Sequence, residues 1–185
     1  MKLNGLNRIG AGLFTAYAFI CAIFVSLVTF ANLQAATVTE FSGWIGYARW
    51  LVVPAYLLIA CTSNKQIRTV SIVSALATAL AFAYDSLGGE LSRVGLPVIM
   101  PLAFVFMVLC VSEMKGSAKF LGGFSAATIF IVWMLEVSAD FQFVKDIAPA
   151  VLAPHMDEIH IWAAPVMWLV IAITGATACF GSKGD

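Results

Sequence analysis

Three charged residues lie within or at the ends of long apolar stretches, where ionisable side chains are costly and therefore become candidates for function. Arg49 lies inside one such stretch, Asp85 follows the run AFAY, and Glu136 follows the run IVWML. A buried guanidinium needs an acceptor, so we predict a buried charge network in which Arg49 pairs with Asp85 or Glu136. Such a pair can lock helix packing, or it can exchange partners in an ion or proton relay. Alternatively, Arg49 extends to the outer headgroups.

A second group of candidate ligands surrounds the connection between the fifth and sixth apolar stretches. Glu136 and Asp140 are four residues apart, and His155 and His160, the only histidines of the chain, flank a pair of carboxylates that includes Asp157. Imidazole and carboxylate groups suit Zn, Cu, Fe or Mn. One hypothesis is therefore a divalent metal held by these five residues. The alternatives are that the carboxylates cap the last helix, or that the histidines sense pH.

The composition indicates which class of protein positions these residues. The chain has 185 residues, of which 62% are hydrophobic and only 11% are charged, and its formal net charge is zero. A soluble domain carries about 25% charged residues. These values exclude a soluble enzyme and a disordered chain, and they exclude a nucleic-acid binder, which needs a basic surface. The lipid bilayer is therefore the expected surrounding.

Six apolar stretches predict six transmembrane helices in a single domain that covers residues 1–185. A span needs about 20 mostly apolar residues, and in lipid the backbone must bond within its own segment, which favours helices over strands. The first stretch is too long for the apolar part of a signal peptide, so we expect it to be a true span. The predicted spans are residues 8–32, 43–61, 69–84, 94–111, 120–137 and 161–180.

The distribution of basic residues predicts the orientation of these spans. Seven lie at one set of helix ends, against three on the other side, and cytoplasmic ends are the basic ones. We therefore expect both termini in the cytoplasm and, as location, a bacterial or archaeal inner membrane. Helical spacing of Phe141, Val144, Ile147 and Val151 predicts a surface helix between spans five and six. The seven basic residues are Lys2, Arg8, Lys65, Arg68, Lys115, Lys119 and Lys183.

Three functions fit these patterns. The first is a transporter or channel for a small cation, a proton or a small solute, with an acidic outer vestibule, because three charged residues share one depth. The second is a non-catalytic subunit of a larger membrane complex, or a homo-oligomer. The third is a metal-dependent membrane enzyme or redox component at the outer face. The chain carries no GxSxG, HExxH or phosphate-loop motif, so an enzyme is the less favoured class.

Overall fold

A computed structural model describes residues 5–31, 35–140 and 155–180, except for the side chains of residues 35–36, 92–94, 96, 136–140, 156–157, 160 and 180. Throughout these ranges the regular structure is helical and contains no strand, which confirms the predicted all-α class. The helices are α1 (Leu6–Phe30), α2 (Ala35–Ala48), α3 (Val52–Ile59), α4 (Lys65–Ser86), α5 (Leu91–Ser112), α6 (Gly116–Asp140) and α7 (Met156–Phe180). A 3₁₀ turn, Arg49–Leu51, joins α2 to α3.

Four helical segments in the described ranges are long and apolar enough to cross a membrane. They are Leu6–Phe30, Lys65–Ser86, Gly116–Leu135 and Ile161–Cys179, and Pro97–Ser112 is a shorter apolar helix. Segments of this length and composition indicate a membrane protein. The predicted surface helix around Phe141, Val144, Ile147 and Val151 lies outside the described residues.

Several helices extend beyond the apolar spans that predict them. α4 begins at Lys65 rather than at the predicted Thr69, because the Asn64 side chain accepts hydrogen bonds from the backbone N–H groups of residues 66 and 67, at 2.9 and 3.3 Å. The helix that contains the start of the second predicted span, at Gly43, likewise begins earlier, because α2 begins at Ala35. Polar residues conceal this start in the sequence. One of them is Ser42, whose hydroxyl donates a hydrogen bond to the Val38 carbonyl at 2.8 Å. The hydroxyl therefore finds its partner within its own helix.

The helices pack into a closed ring in chain order. α1 contacts α3, each later helix contacts the next, and α7 returns to α1 in the most extensive contact of the ring. Close approach of α1 to α3 depends on Gly10, where an added Cβ would lie 2.7 Å from the Ala55 carbonyl oxygen. Two apolar clusters fill the interior, one around Tyr56 and the other around Ile171, and Phe14 packs against both. The centre of the ring is therefore packed with side chains.

Candidate functional site

Arg49 lies at a break in the second helical segment, and Pro54 accounts for the break. Proline has no N–H to donate to the carbonyl of the residue four positions earlier, and its ring crowds that carbonyl. Here that earlier residue is Trp50, and the 3₁₀ turn covers Arg49–Leu51. The Val52 N–H bonds to the Arg49 carbonyl within the tightened turn. The change in helical pitch rotates the side chains that precede the proline relative to those that follow it.

The structure brings Arg49 and Asp85 together. The Nη2 atom of Arg49 lies 2.6 Å from the Oδ2 atom of Asp85. Asp85 is the second-to-last residue of α4. The side chains are 17% and 30% exposed, respectively. This distance is that of a short, charge-assisted hydrogen bond. Of the two partners that the sequence offers Arg49, Asp85 is the one whose side chain is described in contact with it.

An aromatic ring of α4 lies against the guanidinium. The Cζ atom of Arg49 lies 4.8 Å from the centre of the Phe82 ring, which is a favourable cation–π distance. Phe82 in turn meets Trp50 edge-on, with ring centres 5.6 Å apart. Phe82 is one turn before Asp85 on α4, so a single helix face supplies both the counter-charge and the aromatic support. Sequence reasoning missed this role of Phe82, although its spacing of three residues from Asp85 was a usable signal.

Among the described residues, only part of the Arg49 guanidinium has a hydrogen-bond partner. Its Nε atom is buried and has no hydrogen-bond partner among the described residues. A guanidinium that stabilises a fold through a carboxylate commonly bonds it with two nitrogens, and buried donors are nearly always paired. Within the described residues, Nε is therefore a donor that remains available to a further acceptor, such as water.

The remaining charged residue of the predicted network, Glu136, belongs to α6, and its side chain is not among those that the structure describes. Its participation in the network with Arg49 therefore stays a prediction. The same applies to Asp140, Asp157 and His160 as metal ligands, because only their backbone is described.

His155 is the one predicted metal ligand whose side chain is described. Its Nδ1 atom lies 3.4 Å from the Oε2 atom of Glu158, three residues later, and the two side chains are 62% and 77% exposed. Within the described part of the chain, no three His, Cys, Asp or Glu residues gather closely enough to hold a metal ion. The outer metal site also stays a prediction.

Buried hydroxyl groups form a second polar feature of the interior, which sequence reasoning did not single out. Ser125 of α6 and Thr174 of α7 share a hydrogen bond of 2.7 Å between their side-chain oxygens. Thr174 also donates to the Val170 carbonyl at 2.8 Å. By contrast, the hydroxyls of Ser71 and Ser74 on α4 are buried and have no partner among the described residues. Their spacing of three residues was visible in the sequence.

The helices and the charged site define a helical protein of the membrane class. No protein-family model, no curated protein and no solved structure matches the chain. Function must therefore be argued from the site, since a helical fold by itself supports many activities.

Proposed function

We propose that the chain is a small membrane transport protein for protons or small cations, and that the Arg49–Asp85 pair controls the pathway. The observation that supports this proposal is the bonding of Arg49, which contacts Asp85 through Nη2 while its buried Nε has no partner among the side chains that the structure describes. A pair that only stabilises packing gains most when every buried donor is satisfied. A pair with a spare donor can exchange its carboxylate for another acceptor at lower cost.

In this proposal the chain crosses the membrane six times with both termini in the cytoplasm. α2, the 3₁₀ turn and α3 contain 14, 3 and 8 residues and together form the second crossing. α5 has 22 residues, and its Pro97 and Pro101 do not end the helix. At 1.5 Å per residue these segments are about 38 Å and about 33 Å long, enough for a bilayer core of about 30 Å. The location that we propose is a bacterial or archaeal inner membrane.

Flux measurements on purified protein in liposomes test the transport function. With a pH-sensitive dye inside and an imposed membrane potential, we expect proton entry above that of empty liposomes, and sodium and potassium are assayed in parallel. Asp85→Asn removes the carboxylate and is expected to slow flux about tenfold or more. Glu158→Gln is the matched control, since Glu158 is an exposed carboxylate, and it should leave flux unchanged. Wild-type flux equal to that of empty liposomes for all three ions contradicts the proposal.

A second candidate function, as a subunit of a membrane complex or a homo-oligomer, is favoured by the surface of α2. None of the described side chains of α2 is buried, and Trp44 and Tyr47 are 74% and 78% exposed. Native mass spectrometry in lipid nanodiscs tests this candidate. We expect a defined oligomer that Trp44→Ala disrupts and Phe120→Ala, a change at an equally exposed aromatic of α6, does not. A monomer that also purifies alone from native membranes removes this candidate.

A further inference from the structure

The inner face of α4 carries a line of hydroxyl groups that ends at the ion pair. Ser71, Ser74 and Thr78 are spaced by three and four residues, and Asp85 follows at seven, so all four lie along one helix face. The exposed fractions of the three hydroxyl-bearing residues are only 0%, 1% and 1%. Along the helix axis the line extends about 21 Å from Ser71 to Asp85.

Two of these hydroxyls are unsatisfied, which distinguishes them from ordinary packing residues. The Oγ atoms of Ser71 and Ser74 are buried and have no hydrogen-bond partner among the described residues. Buried hydroxyls in proteins are nearly always bonded, and ordered water supplies the partner where the protein does not. Ser125 is also buried, at 0% exposure, but its hydroxyl has a protein partner, the Thr174 hydroxyl, at 2.7 Å.

We propose that Ser71, Ser74 and Thr78 line a narrow water-filled proton path along α4 that leads to Asp85, an inference that rests on the proposed transport function. A hydroxyl both donates and accepts hydrogen bonds, so serines and waters in alternation pass a proton by exchanging those bonds. At its far end the line approaches the start of α4, where the Asn64 side chain donates to Glu113 Oε1 at 2.7 Å. Seven residues, about 10 Å along the axis, separate Asn64 from Ser71 and Thr78 from Asp85, so the proposed path requires water to bridge both intervals.

The surroundings of this line select protons over metal cations. Ile67 and Ala75 of α4 pack with Tyr56 and Phe106 into one apolar cluster, which leaves little polar surface beside the hydroxyls. A dehydrated metal cation needs several oxygen ligands at once, as in carbonyl-lined filters or calcium sites. Two unsatisfied hydroxyls three residues apart do not meet that need. A proton needs only a continuous chain of hydrogen bonds.

Proton flux with matched serine variants tests the path. Removal of two hydrogen-bonding groups by Ser71→Ala with Ser74→Ala is expected to slow proton flux about tenfold. Ser125→Ala removes one hydroxyl at the same burial outside the path, and its flux should stay within about twofold of wild type. If the wild type conducts protons and the double variant conducts them equally fast, the path is refuted while the transport function stands.

Cysteine labelling decides the inference independently of flux. Ser74→Cys is prepared in a background in which Cys21, Cys61, Cys110 and Cys179 are replaced by alanine, and it is treated in liposomes with a small, charged methanethiosulfonate reagent. We expect Ser74→Cys to react. Leu76 is 60% exposed and faces lipid in this proposal, so Leu76→Cys should remain unreacted. An unreactive Ser74→Cys overturns the path even where no flux is measured. If Ser74→Cys is labelled but the wild type conducts no protons, water reaches the α4 serines and the proposed transport function is wrong. The proton path is then wrong as well.

Discussion

The strength of the Arg49–Asp85 pair can be measured by a double-mutant cycle with Asp85→Asn, Arg49→Gln and the combined variant. Each single change leaves one buried charged or polar group without its partner, whereas the double change removes both. Removing one partner of a fully buried pair costs about 3–5 kcal/mol, and exposed pairs couple by about 0.2–1 kcal/mol. The side chains here are 17% and 30% exposed, so they lie between these limits. We expect a coupling energy of about 2 kcal/mol.

The assay is unfolding of the four proteins in mixed micelles with increasing denaturing detergent, followed by helical circular dichroism. The matched control is the His155–Glu158 contact, at 3.4 Å with 62% and 77% exposure. A cycle with His155→Ala and Glu158→Gln should give a coupling below about 0.5 kcal/mol. If Arg49 and Asp85 couple no more strongly than this exposed control, the contact is not a stable feature of the fold, and its control of a pathway is refuted.

Two further predictions concern helix packing and metal binding. Gly10→Ala should destabilise the fold by about 1–3 kcal/mol in the same unfolding assay, because the new Cβ would lie 2.7 Å from the Ala55 carbonyl oxygen. Gly12→Ala on the same helix meets nothing within 4 Å and should stabilise by about 0.5–1 kcal/mol, so equal effects would contradict the close α1–α3 contact. The outer metal hypothesis predicts bound divalent metal in the purified protein that is lost from His155→Ala with His160→Ala, as measured by elemental analysis. Metal content near zero in both proteins rejects that site.

The helical class could be predicted from the sequence because apolar length is a direct consequence of the bilayer's thickness and of backbone hydrogen bonding within it. Helix ends are set by single hydrogen bonds, which hydropathy does not register. The Asn64 cap that starts α4 was a recognisable sequence signal, since Asn is a favoured capping residue. The start of α2 at Ala35 was harder to see, because Thr37, Thr39, Glu40 and Ser42 make the first turns of this helix polar. The Ser42 hydroxyl nevertheless bonds within its own helix.

The candidate site was predictable in its members but not in its geometry. Equal predicted depth left Arg49 with two carboxylates to choose from, and the contact with Asp85 depends on how the 3₁₀ turn before Pro54 rotates Arg49 toward α4. The proline was visible, but the direction of that rotation relative to a neighbouring helix is a tertiary property. The spacing of the α4 serines was visible as well. Their lack of partners was not, because it depends on which side chains of other helices surround them.

Polar groups of the interior differ in how completely they are bonded, and most of the unpartnered ones lie on one side of the ring. On the α6–α7 side, Ser125 and Thr174 bond each other, and Thr174 bonds its own helix too, as expected of residues that hold two helices together. On the α3–α4 side, Arg49 Nε and the hydroxyls of Ser71 and Ser74 lack partners, and they are three of the five such buried atoms in the described residues. The other two, Asn7 Oδ1 and Trp133 Nε1, lie apart on α1 and α6. Unpaired buried polar atoms are costly unless water supplies their partners, and most of those described lie on the α3–α4 side. In the proposed transport function, the α3–α4 side with its broken helix is therefore the part of the ring that water and protons use.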